Sequence, residues 1–170
     1  MGQPKQLELL AGESLLQRTL RLCHETELQP IVVVLGAAAE AVARDVDLSS
    51  ATVVINDAWE EGMASSIRTG IASLPEGCTG CVIVTCDMPA LTSEHLRRLA
   101  ACDKVTASSY ADRKGVPAYF PASSFADLSQ LSGDTGARSL LASALAIGLT
   151  GGELDIDTPD DLLRVREIFS

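Results

Sequence analysis

Short β-branched runs, each closed by a turn signal and alternating with helical patterns, constrain this chain more than any other feature of it. Ile31–Leu35 is introduced by Pro30 and ended by Gly36, and Thr52–Ile55 stops on Asn56 and Asp57. Val82–Val84 continues through Thr85 and Cys86 to Asp87, Met88 and Pro89. A short apolar run without polar alternation suits a strand buried on both faces in the middle of a parallel sheet. Between the runs lie the Ala-rich stretch Ala37–Arg44 and the stripe Met63–Leu74, closed by Pro75-Glu76-Gly77; both predict helices. Repeated strand–helix units predict an α/β fold, a three-layer α/β/α sandwich with a mostly parallel sheet.

The flanks extend this pattern. Ser14 is placed to cap a helix carrying Leu15, Leu16, Thr19, Leu20 and Cys23, and a further helix is expected near Glu94–Ala101. Lys104–Ser108 and Val116–Phe120, joined by the polar turn Asp112-Arg113-Lys114-Gly115, predict a hairpin that supplies an antiparallel edge. Helices are then expected over Ala122–Leu131 and from Gly136 to Ile147, and a last strand around Leu154–Ile156. Thr158-Pro159-Asp160-Asp161 opens a final helix with a cap, a proline at its first position and acids in its first turn. At 170 residues the chain reads as one domain, residues 1–170, without internal repeat or linker.

Composition narrows the class. With 13 basic against 23 acidic residues and a net charge of -10, the chain is a poor partner for nucleic acid, whose affinity depends on Lys and Arg. Five cysteines, no secretory signal and no long apolar span predict a reduced, cytoplasmic protein with no membrane partner. Cys78-Thr79-Gly80-Cys81 has metal-like spacing, but no second pair answers it, so incidental thiols are the better account.

Chemistry is concentrated at the ends of the runs. Pro89 cannot extend a ladder, so Asp87 is presented at the carboxyl edge of the sheet, where open α/β sheets bind ligands. Asp155 and Asp157 fall on one face of the expected last strand, and Asp157 at its end can approach Asp87. Two carboxylates, completed by water and phosphate oxygens, suit Mg²⁺; helix capping is the competing account of each. Lys5, in a Gly-x-Pro-Lys loop, suits a polyphosphate, although a terminal lysine is commonly just solvated. Trp59 precedes Gly62-Met63-Ala64-Ser65-Ser66-Ile67-Arg68, hydroxyls at a helix start where an anion is favoured, with a plain N-cap at Ser65 as the alternative. Gly115-Val116-Pro117 and Ser132-Gly133-Asp134-Thr135-Gly136-Ala137-Arg138 are further loops that permit close backbone approach. His24 and His95 read as surface helix residues.

Taken together these motifs resemble the nucleotidyltransferases that attach a nucleotide to molybdopterin, and within them the molybdenum cofactor cytidylyltransferases. Met1-Gly2-Gln3-Pro4-Lys5-Gln6-Leu7 resembles the end of the signature loop, Trp59 with Gly62–Gly70 the nucleotide-side helix, and Cys86-Asp87-Met88-Pro89 the metal motif. Ser132–Arg138 and Asp155–Leu162 complete an ordered match over essentially the whole chain. The resemblance implies a Rossmann-like sandwich and transfer of CMP from CTP to molybdopterin with release of pyrophosphate. It implies Mg²⁺ on Asp87 and Asp157, with Lys5, Asp87 and Asp157 as the catalytic set. Gly2, Lys5, Met63, Ser65, Ser66, Arg68 and Asp87 would line the nucleotide, and Gly115, Pro117, Asp134 and Gly136 the pterin. A molybdoenzyme or its maturation factor would be a further partner.

The sequence departs from that family at its start. The family's first strand and its Leu-Ala-Ala-Gly-x-Ser-x-Arg loop, expected ahead of Met1-Gly2, are absent, so the reading is of a domain whose N-terminal strand is missing. Two other functions stay open: a non-catalytic molybdopterin- or molybdoenzyme-binding remnant, and a nucleotidyltransferase with another phosphate acceptor.

Overall fold

The computed structural model describes residues 4–134 and 136–169. Gly2, expected at the nucleotide, and Thr135 of the pterin loop lie outside the described residues. Lys5–Leu7 forms a single 3-10 turn, followed by a two-residue antiparallel ribbon of β1 (Leu9–Leu10) and β2 (Glu13–Ser14). Helix α1 (Leu15–Glu25) begins on Ser14, whose hydroxyl accepts from the Gln17 N–H as the capping pattern requires. Then follow β3 (Val32–Leu35), α2 (Ala39–Asp45), β4 (Thr52–Ile55), α3 (Met63–Ala72), β5 (Gly80–Ile83) and α4 (Ser93–Ala100). The hairpin strands are β6 (Thr106–Tyr110) and β7 (Arg113–Pro121); α5 (Phe125–Leu128), α6 (Arg138–Leu141), β8 (Leu145–Gly148) and α7 (Pro159–Ile168) complete the chain.

Strands β3 and β4 pair in parallel, Val32 opposite Thr52 through Leu35 opposite Ile55. A separate four-stranded sheet runs in the order β5-β7-β6-β8. Here β7 is antiparallel to both neighbours and β8 is parallel to β6. The antiparallel strand therefore stands inside the sheet, because β7 folds back onto β5 and leaves the far edge of β6 to β8. Two helices cover both pieces from opposite faces. On one face, Leu16 and Leu20 of α1 cluster with Val33 and Leu35, while Leu22 and Cys23 cluster with Val82 and Val84. On the other, Gly70 of α3 lies against Val34, and Ile67 and Ile71 pack with Cys81 and Ile83. The result is the mixed α/β architecture expected from the pattern, with β3 and β5 unpaired to each other among the described residues.

Several local expectations change. The stretch 145–148, taken as the end of a helix, is strand β8, and α6 is a single short turn; the open edge of β6 overrides the helix propensity of its alanines. No strand forms at Leu154–Ile156; the Leu154 N–H donates to the Gly151 carbonyl at 3.0 Å, and only the Ile156 N–H reaches the neighbouring strand-end loop, at the Asp87 carbonyl, 3.0 Å. The expected Ala122–Leu131 helix is a 3-10 turn, Ala122–Ser124, continued by four helical residues. Residues of β5 are half-buried instead of fully buried, since this strand has one partner strand among the described residues. His95 is not a surface residue: it is 4 % exposed, and its Nε2 lies 2.7 Å from Ser108 Oγ. That hydroxyl donates to the Pro117 carbonyl, so Nε2 is the donor to Ser108.

Candidate active site

Beyond β5 the chain turns sharply, with Met88 and Pro89 buried and the Arg18 guanidinium donating to the Pro89 carbonyl at 2.8 Å. This holds Asp87 at the end of the strand, its side chain 17 % exposed. Ile156, fully buried among Leu10, Leu15, Leu162 and Val165, anchors the other acidic segment. On either side of the buried Ile156, Asp157 reaches Lys5 and Asp155 reaches Arg113. Lys5 comes from the third direction, on a turn closed by the Leu7 N–H to the Pro4 carbonyl, with Leu7 packed against the β3 cluster.

These three segments meet at one ammonium group. Lys5 Nζ donates to Asp87 Oδ2 at 2.6 Å and to Asp157 Oδ1 at 2.9 Å. Partial burial opposes the lysine's charge, but the hydrogen bonds from Asp87 and then Asp157 outweigh it and hold the ammonium above its ordinary range. Two carboxylates that converge on a cation at hydrogen-bonding distance also suit a divalent ion. Among the described residues no group of three or more His, Cys, Asp or Glu side chains is assembled to hold a metal. The donor set thus fits a hard ion that takes one or two carboxylates and completes its shell with substrate phosphate and water.

A third carboxylate borders the pair. Burial and then the neighbouring Asp87 push the Asp155 carboxyl above its ordinary value, with Arg113 opposing them. The Arg113 guanidinium lies 3.5 Å from Asp155 and 5.2 Å from the centroid of the Tyr110 ring. Tyr110 donates to the Val116 carbonyl and packs closely on Gly115 and Gly152, where an added side chain would strike its hydroxyl and its ring respectively. Gly115 therefore sits beside the acidic cluster, under Tyr110. Pro117 is fully buried and its carbonyl accepts from the Ser108 hydroxyl.

A second cluster forms where β4 ends and α3 begins. Asn56, 3 % exposed, donates from Nδ2 to Ser65 Oγ at 2.8 Å and to Ser66 Oγ at 3.0 Å, and its Oδ1 accepts from the Ala58 N–H. Gly62 is the N-cap residue, so Ser65 is not the cap; its buried hydroxyl donates to the Gly62 carbonyl. The first N–H groups of α3, expected to face an anion, already have acceptors. Met63 donates to Asp134 Oδ1, Ala64 to the Gly133 carbonyl and Ser65 to the Gly62 carbonyl. Gly136 lies against Met63. Met63, Asp134 and Gly136, assigned by resemblance to opposite substrates, thus share one contact. Arg68 is likewise engaged, donating to Glu61 and to the Leu131 carbonyl.

Beside this cluster a cleft of about 740 Å³ opens between α2 and β4, lined by Gly36, Ala38, Arg44, Ile55, Asn56 and Trp59. The short α2 covers β3 but not β4, so Ile55 and the Trp59 indole are half-exposed there. Cys86, next to Asp87, is no nucleophile: burial, then Asp87, pushes its thiol up to about 12. The arrangement can position and neutralise a polyanion but has no activated nucleophile of its own.

Sequence reasoning brought Lys5, Asp87 and Asp157 to one place and missed Asn56, Arg113 and the part played by Asp155. The Asp-x-Asp alternation carried a signal for Asp155. Asn56 looked like a strand terminator, and only its burial marks it out.

With this geometry in hand, comparisons place the chain. Residues 1–147 match the model of the MobA-like NTP transferase domain. The purine catabolism protein PucB of Bacillus subtilis is 32% identical over 190 residues, covering 100% of this chain and 91% of that protein. The bifunctional protein GlmU of Streptomyces avermitilis is 36% identical over 100 residues, but this stretch is 58% of the chain and only 21% of GlmU. The crystal structure of Rv0371c from Mycobacterium tuberculosis in complex with manganese superposes with a TM-score of 0.83 at 30% identity, over 98% of this chain and 93% of that one. These matches and the shared architecture make the chain a member of the MobA-like NTP transferase family, a family of nucleotidyltransferases.

Proposed function

We propose that this protein transfers CMP from CTP to the phosphate of molybdopterin and releases pyrophosphate. The observation that carries the reading is the convergence of Lys5, Asp87 and Asp157 at the end of β5. Asp87 and Asp157 would hold Mg²⁺, which when bound supplies charge neutralisation to the triphosphate; the manganese bound by Rv0371c supports a divalent ion. Lys5 contributes a point charge to the same phosphates. Attack by the acceptor phosphate on the α-phosphorus needs no protein nucleophile, only in-line placement and a preorganised field. The exposed Trp59 ring offers a surface for the base, with Asn56, Ser65 and Ser66 fixing the start of α3 beside it. The acceptor would enter by Gly115 and Tyr110, where Arg113 is the nearest cation to an anionic ligand. A structure named as the molybdopterin-guanine dinucleotide biosynthesis protein A of Archaeoglobus fulgidus, with a TM-score of 0.67 at 22% identity, supports a pterin acceptor, as does the ordered motif set.

Among the described residues the edges of β3 and β5 are unpaired to each other, and α1 and α3 pack over both strands. The second reading is a molybdopterin- or molybdoenzyme-binding protein of the same family that does not turn over. The five cysteines are free, which supports a reducing, cytoplasmic setting. The test is pyrophosphate release from CTP or GTP with Mg²⁺ and molybdopterin, in the wild-type chain and Asp87→Asn. Transfer with CTP that falls at least about 100-fold in Asp87→Asn is expected, in line with the loss of a preorganised charge. Turnover with GTP alone, or with a sugar phosphate but not the pterin, overturns the substrate assignment. Pterin affinity without magnesium-dependent CTP affinity establishes the second reading.

A further inference from the structure

We propose that Lys5 is the resident cation of the Asp87–Asp157 pair, exchanged for a divalent ion when a polyphosphate draws the ammonium away. This rests on the reading of Asp87 and Asp157 as the metal-holding carboxylates, and it adds an order to the binding events there.

The oxygens Asp87 Oδ2 and Asp157 Oδ1 are both engaged by Lys5 Nζ, at 2.6 and 2.9 Å. A magnesium-sized ion demands the same oxygens at about 2.0–2.1 Å in near-octahedral geometry. An ammonium and a divalent ion cannot occupy one point between two carboxylates, so the two states are mutually exclusive. The exchange needs little movement of the chain. Lys5 stands on a hydrogen-bonded 3-10 turn with Leu7 packed in the β3 cluster, while a third of its own side-chain surface is open to solvent. The flexible four-carbon stem can therefore swing while the turn stays in place. Among the described residues no other cation contacts the pair: Arg113, a further base at this edge, is held by Asp155 and by the face of Tyr110.

Without a polyphosphate, a divalent ion must displace Lys5 into water and leave its charge uncompensated. With one bound, the ammonium moves from two carboxylates to phosphate oxygens and the ion inherits the carboxylates. By linkage, nucleotide and metal then each raise the other's affinity by the same factor. The pair stays neutralised in both states, which protects the free protein from two facing acids.

The test is Mn²⁺ binding to the folded chain without nucleotide, by electron paramagnetic resonance and calorimetry, in wild type, Lys5→Gln, Lys5→Arg and Arg113→Gln. Lys5→Gln should bind Mn²⁺ at least about 10-fold more tightly than wild type. Arg113→Gln, which removes the same charge from the same edge, should change the affinity less than about 3-fold. Lys5→Arg should stay as weak as wild type. Mn²⁺ should also raise the Tm of Lys5→Gln more than that of wild type. Equal Mn²⁺ affinity in wild type and Lys5→Gln overturns the proposal. Equal tightening by Arg113→Gln overturns it too, since general electrostatics then suffices. If Lys5→Gln binds no Mn²⁺ at millimolar concentration, the metal-holding reading falls with it. Failure of CTP or pterin turnover leaves all of these outcomes unaffected.

Discussion

Removing Asn56 tests whether the start of α3 is organised as described. Asn56→Ala deletes two donations, to Ser65 and Ser66, and one acceptance from Ala58, in a side chain that is 3 % exposed. Three neutral hydrogen bonds at about 1 kcal/mol each give about 3 kcal/mol. Ser66 and the Ala58 N–H lie near enough to the surface for water to recover part of this, which leaves about 2–3 kcal/mol. Ser65 keeps its own donation to the Gly62 carbonyl and adds little to the loss. With a urea m-value of about 2 kcal/mol/M, the midpoint should fall by about 1–1.5 M. Trp59, three residues along and half-exposed, is the fluorescence probe of the transition. Ser66→Ala, which removes one of the three bonds, should lower the midpoint by no more than about 0.5 M. A shift below about 0.3 M in Asn56→Ala with m unchanged would refute the argument that this amide ties β4 to α3.

Two further outcomes are expected. Gly62 has φ +101° and a Cβ there would lie 2.9 Å from the Asp134 Cα, whereas Gly77, at φ +88°, has nothing within 4 Å. Gly62→Ala should therefore cost more than the roughly 1–2 kcal/mol of left-handed strain that Gly77→Ala shows, and equal losses in chemical denaturation would contradict the Asp134 contact. His95 is held below its ordinary value, first by burial and then by Arg98. Below the unfolded value near 6.5 the unfolded chain gains a proton that the native state refuses, so stability falls with pH by at most about 1.4 kcal/mol per unit. That slope should end at the folded value and disappear in His95→Gln; parallel pH profiles for the two proteins would rule the burial effect out.

What could be read from the residues alone was the local chemistry. Ser14 and Thr158 announce their helices, and the structure gives each the expected cap, Thr158 and Asp161 forming a reciprocal capping box. The β-branched runs mark β3 and β4, whereas the strand expected to run to Asp87 already ends at Ile83. Lys5 lies 82 and 152 positions from Asp87 and Asp157, yet the rule that ligands gather at strand ends associated the two acids, and the family resemblance added the lysine. What escaped depends on neighbours distant in sequence. Leu145–Gly148 is a strand because β6 has an unfilled edge, and no local propensity reports that edge. Arg68 looks free until Glu61 and Leu131 are folded against it. His95 looks exposed on an amphipathic helix until Ser108 is placed beneath it. Two of the occupied N–H groups of α3 follow from Gly133 and Asp134 arriving from far along the chain, Asp134 being 71 positions from Met63.

The unpaired edges of β3 and β5 have a mechanical meaning. A continuous ladder fixes the spacing of its strands at about 4.8 Å and resists shear through aligned hydrogen bonds. Here the Trp59 cleft belongs to the β3–β4 piece and Asp87 to the β5 piece, and no ladder joins them among the described residues. The spacing between those two halves is set by the side chains of α1 and α3, such as Leu16 and Leu22 on one face and Ile67 and Gly70 on the other. Packed helices slide in small steps by repacking side chains, without breaking backbone bonds. Among the described residues the two halves of the site are thus held together by side-chain packing, and the contact between them is that of a hydrophobic interface.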